Sequence, residues 1–248
     1  MTKFLMTLYA VLAYAFFLAV FLFLVAFVGD LPIPKTIDSG SNAPAVEAVV
    51  SNLLLILLFG LQHSVMARPA FKRWWTRIVP EPIERSTYVV AASSVLGLIM
   101  WQWKPIAEPI IWSVHQRLGV MTLEALFWMG WGVLLLSTFL INHFELFGLR
   151  QAYAKLVGRP IPVQEFRTPL LYRHVRHPIY LGFLIAFWAT PTMTAGHLLF
   201  AVSLTFYILT GIYFEERDLV AHFGERYRRY RKQAGMLVPS LRKTLRED

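Results

Sequence analysis

The 248-residue chain contains no cysteine. That absence excludes a disulfide framework, a thiolate zinc site, an iron–sulfur cluster and a cysteine nucleophile. Charge is also scarce. Only 16% of residues are charged while 56% are hydrophobic, too little charge for the surface of a soluble domain of this length. Carboxylates are scarcer still, 15 against 24 Lys and Arg, so the formal charge is +9. Nucleotide-binding loops are missing: no G-x-G-x-x-G or G-x-x-x-x-G-K-S/T string occurs, which argues against a soluble dinucleotide- or triphosphate-binding domain.

What is present is a set of long apolar runs. Residues 4–28, 46–65, 88–103 and 121–141 each approach the ~20 residues needed to cross the hydrocarbon. The first run is too long for the apolar core of a cleaved signal peptide and reads as a retained span. A fifth stretch, 179–213, is too long for one crossing, and Pro191 and Gly196 near its centre predict two short helices in a hairpin. The expectation is one domain, 1–248, an all-α integral membrane protein with about six transmembrane helices. With the N-terminus in the cytoplasm, 21 basic residues fall on the inner side and only Lys35, Lys104 and Arg117 on the outer. The positive-inside rule then puts both termini in the cytoplasm, as in a bacterial inner membrane. The basic excess is therefore a topology signal, with membrane lipids and not nucleic acid as its partner. The outer loop 30–44 reads as a linker, and Trp101, Trp103 and Trp112, with Trp74 and Trp75 on the other side, read as interfacial belts.

Polar groups near bilayer depth are costly unless they serve a cavity or a partner. They cluster at the cytoplasmic helix ends. Gln62, His63 and Ser64 close the second span, and Glu84, Arg85, Ser86, Thr87 and Tyr88 open the third. Asn142, His143 and Glu145 close the fourth; His174, Arg176, His177 and Tyr180 open the fifth; Glu215, Glu216, Arg217 and Asp218 close the sixth. Five such ends on one side could form one polar basin. Glu84, Arg217 and Asp218 lie in charge-rich loops and read as solvated caps, whereas Gln62-His63 and His177-Pro178 abut continuous apolar runs. Pro178 suits a first helical turn, and Gly182 permits close approach of a ligand or another helix. Glu215 and Glu216 could accept hydrogen bonds from ribose hydroxyls or an ammonium group, or pair with the basic tail. Only His174 and His177 are paired at helical spacing, too few for a histidine-rich di-iron or haem site, so no metal is expected.

The string Tyr172…Arg176-His177-Pro178-x-Tyr180-x-Gly182, then Glu215-Glu216 and Phe223-Gly224-x-x-Tyr227-x-x-Tyr230, resembles the isoprenylcysteine carboxyl methyltransferase superfamily of membrane enzymes. Four further strings narrow the likeness to bacterial methanethiol S-methyltransferases and their NnrU-like relatives. They begin at Gln62-His63-Ser64, Glu84-Arg85-Ser86, Asn142-His143-Phe144 and Phe187-Trp188-Ala189, and with them the resemblance spans almost the whole chain. It implies an S-adenosylmethionine pocket on the cytoplasmic side within about 142–235. Carried over position by position, it assigns to that pocket Gln164, Glu165, Phe166, Arg167, Tyr172, His177, Pro178, Ile179, Tyr180, Gly182, Glu215 and Glu216. Isoprenylcysteine enzymes carry an arginine one turn before the first glutamate, where they handle a substrate carboxylate; here that position is Gly211. A small neutral thiol needs no such cation.

A thiol must react as thiolate, so a base or a neighbouring positive charge is required. His63, His143 and Glu145 are the candidate bases or orienting groups, and Arg85 is the candidate cation. Gln62, Ser86, Tyr88 and Asn142 would line the thiol side. Tyr172 and Tyr180 could offer aromatic faces to a sulfonium. Two other readings use the same sequence: a nicotinamide-dependent reductase of the sterol-reductase type, and a non-enzymatic NnrU-like accessory or transport protein.

Overall fold

The computed structural model describes residues 2–41, 43–161 and 166–239. Five helices are long and apolar enough to cross a membrane: α1 (Lys3–Val28), α2 (Ala45–Ala67), α4 (Glu81–Gln102), α5 (Arg117–Ile141) and α9 (Ala195–Phe223). Shorter helices are α3 (Pro69–Trp75), α6 (His143–Leu146), α7 (Leu149–Leu156), α8 (Pro178–Trp188) and α10 (Glu225–Gln233). The protein is an all-α integral membrane protein whose only described sheet pairs β1 (Ile110–Ser113) with β2 (Thr192–Thr194), antiparallel.

The stretch 179–213 divides into two helices, as expected, but of unequal length. The first, α8, has 11 residues, about 16 Å of helix, and the second, α9, has 29, about 44 Å. Pro178 opens α8 as its first helical residue, and the helix stops at Trp188, before Pro191. The next three residues include a turn, with Thr190 N–H donating to Trp188 O, and lead into β2. Gly196, expected to break the helix, lies in its first turn, where a Cβ would come within 2.9 Å of the Ile106 backbone nitrogen.

The chain divides into two compact units. The first comprises residues 1–113, 143–163 and 192–203. In it α1 and α2 pack on α4, and α7 packs on α1. Phe27, Trp103 and Phe200 meet edge to face at 5.6–6.3 Å. Trp103 is 1% exposed and its indole N–H donates to Ile37 O at 3.1 Å, so it is core and not interfacial belt; Trp101, 70% exposed, keeps the belt position. The segment read as a linker is likewise packed. Ile37 is fully buried, its N–H donates to Phe27 O, and Asp38 accepts from Thr194 Oγ1 at 2.5 Å. Short polar side chains fold this segment on itself, with Thr36 donating to Asp30 and to Ser39.

The second unit comprises residues 114–142, 164–191 and 204–248. Its main contact is α5 against α8. A Cβ on Gly182 would lie 2.6 Å from Gly130 O, and one on Gly130 would lie 2.8 Å from Gly182 O. The two backbones touch, the small-residue packing by which helices associate in lipid. Of the two uses open to Gly182, this is helix approach.

Candidate active site

In the first unit, α4 begins seven residues before the expected Tyr88 boundary, so Glu84, Arg85, Ser86 and Tyr88 are helical and point by helical spacing. Arg85 reaches Tyr88 three residues on, its guanidinium carbon 4.9 Å above the ring. The His63 ring lies 5.2 Å from Tyr88 and stacks on Phe59 at 5.2 Å. α2 and α4 therefore bring His63, Tyr88 and Arg85 together. Arg85 is also anchored, its Nε donating to Leu146 O at 2.7 Å. Glu84 is 5% exposed and pairs with Lys72 at 3.3 Å, so it is a buried ion-pair partner and not a solvated cap.

The segment after Asn142 folds against this cluster because of one glycine. Gly148 has φ +88°, and a Cβ there would lie 2.5 Å from Ser86 Oγ. Only glycine combines that conformation with that approach. His143 is 5% exposed and its Nε2 is 2.8 Å from the Tyr14 hydroxyl, with Phe147 packed at 4.8 Å. Burial pushes the His143 imidazole below its ordinary pKa, so the ring favours the neutral form. Glu145 pairs with Arg150 at 2.9 Å. Three buried oxygens in this unit accept no hydrogen bond: Gln62 Oε1, Ser86 Oγ and Gln151 Oε1. A polar atom buried without a partner is costly, and a ligand is one way to satisfy it.

In the second unit the paired carboxylates divide their work. Glu216, 7% exposed, accepts from Arg176 Nε at 2.7 Å, lies 3.2 Å from His177 Nε2, and pairs with Arg231 Nε at 3.1 Å. Arg176 also donates to the carbonyls of Arg231 and Ala234. The backbone seals the same contact: Arg176 N donates to Gly235 O and His177 N to Met236 O. The basic tail is thus clamped to the turn before Pro178. Glu215 is different. Its side chain is 43% exposed, yet its Oε2 is buried, accepts no hydrogen bond and lies 3.6 Å from His177 Nδ1. Tyr180, one turn into α8, holds its ring 5.6 Å from that of His177, while Pro178 and Ile179 form the turn between them.

The remaining expected residues lie close by. Tyr172 is buried, its hydroxyl donating to Ser137 O at 3.4 Å and its carbonyl accepting from Tyr230 OH at 2.5 Å. Burial holds the phenols of Tyr172, Tyr227 and Tyr230 well above their usual pKa, so they act as donors. Tyr227 and Tyr230 are packing residues, with Phe166 against them at 5.4–5.9 Å. Arg167 lines a cavity beside α10, and Asn142 caps α5 with its N–H on Thr138 O. Gln164 and Glu165 lie outside the described residues. Sequence reasoning missed Tyr14, which sits mid-helix in no motif, and Arg176 as a partner of Glu216, whereas the alternative that the carboxylates pair with the basic tail holds for Glu216 and Arg231. It also passed over Gln151.

Comparison with known proteins places this arrangement. The chain is 54% identical over 239 residues to methanethiol S-methyltransferase of Mycobacterium tuberculosis, covering 96% of this chain and 98% of that one. It is 58% identical over 218 residues to methanethiol S-methyltransferase of Pseudomonas deceptionensis, covering 87% and 82%. A more distant likeness, 31% over 182 residues, links 69% of it to 68% of bovine Nurim. No family model matches the chain. No solved structure matches it. Identity above one half across nearly the full length of both chains makes this protein a member of the methanethiol S-methyltransferase family.

Proposed function

We propose that this chain transfers a methyl group from S-adenosylmethionine to methanethiol, giving dimethyl sulfide, in a bacterial cytoplasmic membrane with both termini inside. The observation that carries the reading is 54% identity to a methanethiol S-methyltransferase over 98% of that relative's length. The second unit fits a donor of this kind. Glu215 Oε2 is a buried acceptor with an unfilled hydrogen bond, the group a ribose hydroxyl or an α-ammonium would satisfy. His177, Tyr180 and Glu215 would hold the donor, Phe166 and Arg167 would border it, and the Glu216 clamp would keep Pro178 and Tyr180 in place. When bound, S-adenosylmethionine supplies a sulfonium methyl carbon that a sulfur nucleophile can displace.

The first unit supplies groups suited to a thiol. Arg85 carries a fixed positive charge that would favour thiolate over thiol. His63, beside it on Tyr88, would accept the thiol proton, and Gln62 Oε1 and Ser86 Oγ would orient the substrate. Tyr88 and Phe59 give these groups an apolar wall that suits a methyl substituent. Glu145, tied to Arg150, is the weakest of the base candidates.

The test is direct. Membranes carrying the protein, given methyl-labelled S-adenosylmethionine and methanethiol, should release labelled dimethyl sulfide into the headspace. Unlabelled headspace over purified protein that still binds S-adenosylhomocysteine would overturn the thiol assignment.

A further inference from the structure

Beside α10 in the second unit lies a cavity of about 700 Å³, and of its lining only Phe166 and Arg167 figure in the donor site proposed above. Four arginines line it: Arg167 before the 3-10 turn 170–173 and Arg173 at its end, and Arg226 and Arg229 one turn apart on α10. Among the described residues no carboxylate lines it. Neighbouring arginines are neutralised, Arg176 and Arg231 by Glu216 and Arg228 by Glu225. Among the described residues Arg173, Arg226 and Arg229 have no acidic partner. Three arginines without an acidic partner are therefore gathered around one concavity. Arg226 is also held in place, its guanidinium carbon 5.1 Å above the Phe166 ring, which is itself packed on Phe223, Tyr227 and Tyr230.

We propose that this cavity binds a phosphate group, either of an anionic lipid or of a free phosphate. Guanidinium forks match phosphate oxygens two at a time, and several around one cavity favour a multiply charged tetrahedral anion over a single carboxylate. Like charges converging without a counterion repel, and an anion removes that cost. The site adjoins the proposed donor pocket at Phe166 and Arg167 but is not the same one, because Tyr172, His177, Tyr180 and Glu215 do not line it.

Calorimetry on the purified protein in a neutral detergent tests the proposal, with inorganic phosphate in one arm and short-chain phosphatidylglycerol in the other. Saturable binding should weaken about tenfold or more in the double variant R226Q/R229Q and at raised ionic strength. Arg173→Gln, on a different element, should weaken it in the same direction, which guards against a folding defect in α10. S-adenosylhomocysteine affinity should stay within roughly twofold, since charges outside its pocket contribute little at moderate salt. Comparable affinity for both probes identifies a free anion as the ligand, and tighter binding of phosphatidylglycerol identifies a lipid headgroup. No binding of either probe, unchanged binding in the variants, or displacement of the anion by S-adenosylhomocysteine would overturn the proposal.

Discussion

Around Glu216 in the second unit, Arg176, His177 and Arg231 all converge on one carboxylate, and the backbone of 174–177 is bonded to that of 235–236. Around His63, Arg85 and Ser86 in the first unit, polar groups are buried to a similar degree, yet Gln62, Ser86 and Gln151 each keep an oxygen with no hydrogen bond. A closed cluster stabilises, because every desolvated charge meets its complement. An open one costs stability and keeps binding capacity in reserve. The contrast recurs within a single dipeptide, where Glu216 is closed and Glu215 is open. Substitutions should therefore separate folding defects from binding defects.

The largest expected effect is at Glu216. Removing it with Glu216→Ala leaves Arg176 and Arg231 without their shared partner, and breaking a buried pair from one side costs about 3–5 kcal/mol. Thermal unfolding in detergent should show it, with Glu216→Gln milder because its amide oxygen still accepts from one of the two arginines. A loss below about 1 kcal/mol in the alanine variant would mean that the cluster is solvated like a surface pair.

Next comes the glycine contact that holds the same unit together. Gly182→Val should cost about 1–3 kcal/mol, since its side chain would run into the backbone of α5. Gly211→Ala is the control. A Cβ there meets nothing within 4 Å, and in a helix interior the change should stabilise by up to about 1 kcal/mol. Equal effects at the two positions would show that Gly182 acts through backbone propensity and not through contact.

Glu215→Ala should behave in the opposite way to Glu216→Ala. With no hydrogen bond to lose, unfolding should be nearly unchanged, while affinity for S-adenosylhomocysteine falls about tenfold or more, the worth of one hydrogen bond to a charged group. Unchanged affinity would remove Glu215 from the donor pocket.

Spans and sites were not equally legible in the sequence. Long apolar runs and Pro178 announced the membrane helices and the start of α8, because hydrophobic length and proline geometry are local properties. The beginning of α4 was misplaced because its first two turns are polar, and those turns are helical through packing. Glu84 read as solvated and is buried, because the cation that satisfies it, Lys72, comes from another helix. The loop 30–44 looked inert for a similar reason: Ile37 is buried against α1 and Trp103, contacts that composition does not reveal. The Glu215-Glu216 pair was visible, but which of the two was locked depended on Arg176 and Arg231, 40 and 15 positions away.

The smallest expected effect tests a polar contact that the first unit does close, between His143 and Tyr14. An unfolded histidine takes up a proton below a pKa of about 6.5, whereas burial holds the folded His143 neutral to lower pH. Its contribution is therefore complete above about pH 6.5 and is lost as pH falls below that value, with a slope of at most about 1.4 kcal/mol per pH unit. His143→Phe keeps an aromatic ring against Phe144 and Phe147 and removes the titration. Unfolding midpoints measured between about pH 5 and 7 should fall less steeply with acid in the variant than in the parent. Parallel curves would mean that folded His143 protonates as readily as an exposed imidazole, and the first unit would then be open at this contact as well.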